Sequence, residues 1–381
     1  MSDLTIFLIV LLLRLFVPLL ILRYPLPAIV FALVLDAADQ TIFQAWTDLD
    51  LTTYQSYDKA LDVFYLAIAY IATFRNWRNP TAIAAAVFLW YYRLIGVTLF
   101  ELTEWRPLLL IFPNTFEYYF IAIAVVRLRW SDRTLSPRTV VTIAACIWVF
   151  IKLPQEWWIH IAQLDFTDFV KGDLLGVEVT DSFADGFANR PLVGLAMLAL
   201  VVLFVGIVAF IWRRAPEPDH AFTFDADKVA KFDDRPAPAV PPVRPWLEGL
   251  AEKVALITLM SIIFGRAIPG SNASIPEVLL FVALLVAANA GVSQWLRQRG
   301  HEWSSVGRAF GGNVIVNAVL FYVLTVIIPS SDEGSSALAI AFFLFLLSLI
   351  IALFDRYRPT RGPLHWSLQP IESDDSTAQL S

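Results

Sequence analysis

Charged side chains recur at helical spacing through the first half of this chain, inside stretches that are otherwise apolar. Asp36, Asp39 and Gln40 stand at i, i+3 and i+4, and Asp58 and Asp62 at i and i+4, with Tyr54 and Tyr65 on the same side and Lys59 adjacent. Arg93, Val97, Glu101 and Glu104 form a third stripe, Asn114, Glu117 and Tyr118 a fourth, and Lys152, Gln155, Glu156 and His160 a fifth. Residues three and four apart share one face of a helix, so each stripe presents its polar groups to one side. Carboxylates held in this way can exchange protons, neutralise a cation or act as general acid and base. Asp39, Glu156, Asp36 and Glu117 are the deepest and are the candidates for such chemistry. Arg93 and Lys152 suit an anionic group or its orientation, and Arg14, Asn114, Tyr118, Gln155, His160 and Trp157 complete the candidate binding set.

Acids outnumber bases in these stripes. Asp36, Asp39, Asp58, Asp62, Glu101, Glu117 and Glu156 face Arg14, Lys59, Arg93 and Lys152. The surplus must be solvated, protonated or bound to a cation. The structural alternative pairs Arg14, Arg93 and Lys152 with Asp36, Glu117 and Glu156 to lock helices together. No motif names a metal or a cofactor: Glu156 and His160 match neither the Glu-x-x-His nor the His-Glu-x-x-His pattern. There is no phosphate-binding glycine loop and no serine-nucleophile elbow. The aromatic residues in the same stretches, among them Trp46, Tyr91, Tyr92, Trp105 and Trp158, fit an interfacial belt, and those beside acids suit an organic cation or a sugar face.

The elements that carry these stripes are membrane spans. The chain is 58% hydrophobic and only 16% charged, well below the roughly 25% charged of soluble domains. A helix crosses the hydrocarbon core with about 20 apolar residues. That template gives about eleven candidate spans, centred near Leu13, Leu35, Ala67, Trp90, Phe116, Ile147, Ala199, Leu259, Leu284, Ala318 and Leu344. Pro25, Pro80, Pro107, Pro137, Pro191 and Pro276 fall near span starts, where a missing N–H costs least. Connections rich in arginine alternate with connections poor in base, which predicts an N-terminus outside and a cytoplasmic C-terminus. In that orientation every polar stripe lies between the midplane and the outer face. The expected architecture is therefore an all-α polytopic bundle with an outward-facing charged pocket.

Four segments follow from composition. Residues 1–213 form an N-terminal transmembrane module of about seven spans, in which residues 165–190 make an outer connection long enough to act as a lid. Residues 214–246, rich in proline and acid, read as a flexible cytoplasmic linker. Residues 247–355 form an apolar four-span module, where Asn313 and Asn317 share a face suited to interhelical hydrogen bonds. Residues 356–381 read as a disordered cytoplasmic tail.

The formal net charge of −6 excludes a nucleic-acid partner, and the single Cys146 excludes an intrachain disulfide. The expected setting is a plasma membrane, multi-pass and of bacterial inner-membrane type. Expected partners are membrane lipids, a lipid-linked or cationic small molecule, and other membrane subunits. Three functional readings follow. One is a membrane-embedded enzyme or binder of a headgroup or lipid-linked substrate. Another is a proton- or cation-coupled secondary transporter. The third is a non-catalytic scaffold within a larger complex.

Overall fold

The computed structural model describes residues 3–47, 51–164, 168–178, 181–232, 246–267, 280–289 apart from 282, 306–327 and 337–358. The second half of the expected linker, the expected tail beyond Arg358 and the connections at 268–279, 290–305 and 328–336 lie outside these residues.

Every secondary-structure element among the described residues is helical. The helices are α1 (Asp3–Phe16), α2 (Pro25–Trp46), α3 (Leu51–Asn76), α4 (Pro80–Thr103), α5 (Pro107–Ile111), α6 (Thr115–Val126) and α7 (Pro137–Ile161). After them come α8 (Phe183–Asn189), α9 (Pro191–Arg214), α10 (Ala226–Phe232), α11 (Trp246–Ala267), α12 (Val306–Ile327) and α13 (Ala337–Tyr357). Proline opens α2, α4, α5, α7 and α9, because the first helical residue has no intrahelical use for its N–H and gains from a preset φ. Among the described residues six stretches are long and apolar enough to cross a membrane: Asp3–Leu22, Pro80–Thr103, Pro107–Val126, Pro137–Ile161, Pro191–Phe210 and Ile340–Tyr357. The described part of the chain is thus all-helical, and its long apolar helices fit an integral membrane protein.

Contacts group the chain into two units: residues 1–22, 31–76 and 233–381, and residues 23–30 with 77–232. This interleaves the sequential modules expected from composition, since the early helices α1 and α3 belong with α11 and α13.

In the first unit α3 is the central element. Ala60, Phe64, Ala67, Ile68, Tyr70 and Ile71 are all fully buried. A helical stretch buried on all sides belongs in the middle of a bundle, and α3 packs on α11, on α13 and on the 3-10 continuation of α1, Val17–Leu22. Tyr57 meets the rings of Phe342 and Phe343 at 5.5 and 5.8 Å. Near the other end of α3, Glu252 accepts from the Tyr70 hydroxyl and, at 3.1 Å, from Arg358. Among the C-terminal helices the Asn289 amide donates to Asn317 and the Asn317 amide to Ser348, each at 2.8 Å. These amide bonds link three of the C-terminal helices, as interhelical hydrogen bonds do in apolar surroundings.

In the second unit α4 packs on α5, α6 and α7. Its start is fixed by Asn79, whose side chain accepts from the backbone of Thr81 and Ala82, as an N-cap does. The same side chain donates to the carbonyls of Asp132 and Leu135 at 2.9 Å. Asp132 is fully buried and accepts from the backbone N–H of Arg78 and of Asn79, at 2.6 and 2.7 Å, and from the Arg127 guanidinium. One carboxylate thus ties the start of α4 to the end of α6.

The first half of the expected flexible linker is packed rather than loose. Asp219 N–H and Thr223 N–H donate to the carbonyls of Arg129 and Leu128, at 2.9 and 3.1 Å. The Asp219 side chain accepts from Ser131 N–H at 2.8 Å, and Trp130 Nε1 donates to Pro216. The ring of His220 stacks on Phe232, with centroids 5.6 Å apart. Composition misreads this stretch because proline and aspartate favour irregular backbone, which stays fixed when its polar groups find partners.

Arg23 and the start of α10 close this clasp: Asp225 lies 3.3 Å from the Arg23 guanidinium and accepts from Asp227 N–H at 2.9 Å. Burial alone would raise the Asp225 carboxyl, but the Asp227 N–H and Arg23 outweigh it and hold the carboxyl below its ordinary value. A depressed carboxyl contributes stability above its unfolded-state pKa and loses it as pH falls through the folded value. Intrinsic-rate-corrected amide exchange across 219–229 should therefore stay constant from neutrality down to about pH 4 and accelerate below it. Asp225→Asn should flatten that step, and an identical step in the variant would remove Asp225 as its source.

Candidate functional site

The polar stripes gather into two groups, one in each unit. The first forms around Arg14, in the last turn of α1. Its Nη1 contacts Asp39 and Asp58, and its Nη2 contacts Asp36 and Asp62. The i, i+3 pair on α2 and the i, i+4 pair on α3 are what allow four carboxylates from two helices to meet one guanidinium. Arg14 and Asp39 are almost completely enclosed, whereas the side chains of Asp36 and Asp62 are 26% and 39% exposed. The group is therefore closed on the Asp39 side and open on the Asp62 side.

Charge decides what this group can do. Among the described residues four carboxylates meet this one guanidinium, an excess of three negative charges within these four pairs if all are ionised. One oxygen from each of Asp36, Asp58 and Asp62 lies within 4.8 Å of the others. Two ionised carboxylates at that separation repel by about 3 kcal/mol at an effective dielectric of ~20. Relief comes from protons or from a hard, oxygen-preferring cation, and Asp36, Asp58 and Asp62 are the residues that could hold one.

The second group surrounds a break in the Pro107–Val126 span. Helix α5 stops at Ile111 and α6 restarts at Thr115, with Pro113 and Asn114 between them. The freed backbone is satisfied by side chains from neighbouring helices. The Arg93 guanidinium on α4 donates to Phe112 O at 3.1 Å, and the Tyr92 hydroxyl to Ile111 O at 2.8 Å. Glu156 on α7 accepts from Asn114 N–H at 3.1 Å, and Glu117 accepts from the Asn114 amide at 2.8 Å. Broken helices at membrane depth are tolerated only where backbone groups are re-satisfied in this way.

Helix α7 brings its stripe to this break with two π-helical turns, Ile147–Lys152 and Trp157–Ile161, on either side of Leu153–Glu156. Pro154 removes one backbone donor from that region. The buried Lys152 ammonium donates to Gln155 at 2.9 Å, lies 4.0 Å from Glu156 and sits 4.3 Å from the centre of the Tyr118 ring. His160 Nε2 is 3.1 Å from the other Glu156 oxygen. The buried Asn114 Oδ1 and Thr115 Oγ have no hydrogen-bond partner. Ionised Glu117 and Glu156 balance Arg93 and Lys152, so this group, unlike the first, carries no net charge.

The candidates from sequence are thus brought together in two sets. Arg14, Asp36 and Asp39 form one, and Arg93, Asn114, Glu117, Tyr118, Lys152, Gln155, Glu156 and His160 form the other. Trp157 is half-exposed, as a belt residue would be. Asp58 and Asp62, outside the four acids singled out as deepest, are full members of the Arg14 group. Their i, i+4 spacing opposite the α2 pair was the available signal. The outer segment expected as a lid folds on itself, with Arg190 donating to the carbonyls of Asp173 and Leu174 at 3.0 Å. Comparison with known proteins finds no matching family model, no similar curated protein and no similar solved structure.

Close approach at the break depends on one glycine. A Cβ at Gly96 of α4 would lie 2.1 Å from the Phe112 Cβ, an atom fixed by its backbone. Gly96→Ala should therefore destabilise by about 1–3 kcal/mol or more through overpacking. Gly206→Ala on α9, where nothing lies within 4 Å, should be neutral or slightly stabilising because alanine is the better helix former. Thermal unfolding in detergent checks both, and a tolerated Gly96→Ala would contradict the packing at the break.

Proposed function

We propose that this protein is a proton- or cation-coupled secondary transporter of a bacterial-type plasma membrane, with the Arg14 group as its coupling site. The reading takes the chain as about eleven spans with an external N-terminus and a cytoplasmic C-terminus. Both polar groups then sit in the outer halves of their spans. The observation that carries it is the unbalanced charge around Arg14: one guanidinium faces four carboxylates, and three of these lie within 4.8 Å of one another. A purely structural ion pair needs one acid per base, and further carboxylates crowded onto the same guanidinium add repulsion. Carboxylates in spans mark ion and proton pathways, where loading and release alternate.

A second reading has its own support. The broken span, with Lys152, Arg93 and aromatic rings beside it, also suits a membrane-embedded enzyme or binder of a headgroup or lipid-linked molecule. In that case Lys152 and Arg93 orient an anionic group, and Glu117 or Glu156 transfers a proton.

Ion-dependent stability tests the coupling site. A ligand that binds only the folded state stabilises it by RT ln(1 + [L]/Kd), about 2.7 kcal/mol at a hundredfold excess over Kd. Detergent-solubilised protein should show a raised Tm in one of Na+, K+, Mg2+ or Ca2+, or on acidification from pH 8 to about 5. Asp62→Asn, at the open side of the group, should lose that response while remaining folded. If wild type and Asp62→Asn respond alike to all four cations and to pH, the coupling reading fails and a scaffold with structural charges takes its place.

A further inference from the structure

The bonding of residues 215–232 fixes the depth at which that segment lies. Asp219 N–H and Thr223 N–H donate to the carbonyls of Arg129 and Leu128, two and three residues beyond the end of the Pro107–Val126 span. Three residues reach at most about 10 Å. At its other end the segment leaves α9 directly, at Arg214. Two apolar helices therefore hold it against the headgroup layer, which is roughly 5–8 Å thick on each side of the hydrocarbon.

Its side chains divide into two sets. Ala226 and Val229 of α10 are buried and close the clasp from inside. Phe222, Phe224 and Phe232 are 51%, 45% and 59% exposed, and the Phe222 ring packs edge-on against Phe224 at 5.0 Å. The charges divide in the same way. Asp219 accepts from Ser131 N–H, Asp225 from Asp227 N–H and from Arg23, and Asp227 lies 3.8 Å from Arg23. Those acids serve the clasp's own bonding, whereas Arg213, Arg214, Lys228 and Lys231 are exposed. Glu217 is exposed as well, which leaves the outer face with a surplus of positive charge.

We propose that residues 213–232 form a membrane-surface shelf that binds anionic lipid headgroups. The Phe222, Phe224 and Phe232 rings enter the boundary between headgroups and acyl chains, and Arg213, Arg214, Lys228 and Lys231 meet lipid phosphates. Exposed aromatic rings interleaved with cations are the pattern of segments that lie in the interface plane. Basic side chains beside a span end are attracted to anionic lipids over a Debye length, and the depth set by Leu128 and Arg129 places these well inside that range. The lipid would thereby press the clasp onto the end of α6. This surface is separate from the Arg14 group, and its occupancy does not rest on the coupling reading.

Amide exchange across 221–232 of the full chain in nanodiscs tests this, with discs of phosphatidylcholine alone set beside discs that also hold phosphatidylglycerol. The anionic discs should slow exchange about tenfold or more, since each cation near such a surface contributes roughly fivefold. Salt at ~0.5 M should reverse most of that slowing. Lys228→Glu with Lys231→Glu changes two exposed side chains; it should abolish the difference between the discs and leave exchange in neutral discs unchanged. Phe222→Ser with Phe224→Ser should speed exchange in both kinds of disc. Equal wild-type exchange in the two discs, or a lysine variant that keeps the difference, overturns the proposal. Protection that appears only when two copies share a disc also overturns it, because a contact between copies would then cover the surface. None of these outcomes changes with the cation response of Asp62→Asn, so the two sites are judged separately.

Discussion

Arg14 is the constraint on which the first unit depends. A guanidinium cannot be left bare among apolar helices, because an unpaired ion in that setting costs several kcal/mol. The apolar surface of α3 could slide along its neighbours at little cost, since leucine, alanine and isoleucine faces are nearly interchangeable. Four aspartates meeting one arginine remove that freedom. Asp36 and Asp39 fix α2 against the end of α1, and Asp58 and Asp62 fix α3 against both. Register is thus set by charge, while burial of Phe64, Ala67, Ile68 and Ile71 supplies the cohesion. The same arrangement carries more acids than bases, and that excess is the observation on which the proposed coupling site rests.

The second unit meets the constraint differently. Its charges balance, two against two, and its irregularity lies in the backbone: a span interrupted at Pro113 and Asn114 and a partner helix with two π-helical turns. Side chains from α4 and α7 meet the Ile111 and Phe112 carbonyls and the Asn114 N–H at the break. Asp132, fully buried and bonded to two backbone N–H groups and to Arg127, does the corresponding work at the other end of α6. A carboxylate surrounded by that many donors is a fixed point. Glu156 accepts from one backbone N–H and lies 3.1 Å from one imidazole, so it is held by fewer backbone donors than Asp132.

Sequence spacing made the stripes legible, because i, i+3 and i+4 relations survive in any helix that forms. Proline positions located helix starts for the same reason: φ and the missing N–H are local properties. What spacing could not give was the pairing of one stripe with another, which depends on helix packing across long separations in the chain. Asp36 and Glu117 look equivalent in sequence, yet they fall in different units. Asp58 and Asp62 were not among the acids that looked deepest, yet the packing of α3 brings them onto Arg14. The helix break left one visible mark, Phe112-Pro113-Asn114, but its partner Gly96 carries no signal until the two helices touch. The proline-rich composition of 215–232 concealed ordered structure, because composition reports average tendency and not whether Leu128 and Arg129 offer their carbonyls.

Coupling between Arg14 and its carboxylates is the most direct measure of the central claim. The quantity is the interaction energy in a double-mutant cycle of Arg14→Gln and Asp39→Asn, read from unfolding in detergent. Arg14→Gln alone strands four carboxylates and should cost about 3–5 kcal/mol. Adding Asp39→Asn, which removes one enclosed negative charge, should restore part of that loss, giving a coupling of about 1–3 kcal/mol. Additive losses, or an Arg14→Gln protein as stable as wild type, would show that the cluster neither holds the helices in register nor stores excess charge.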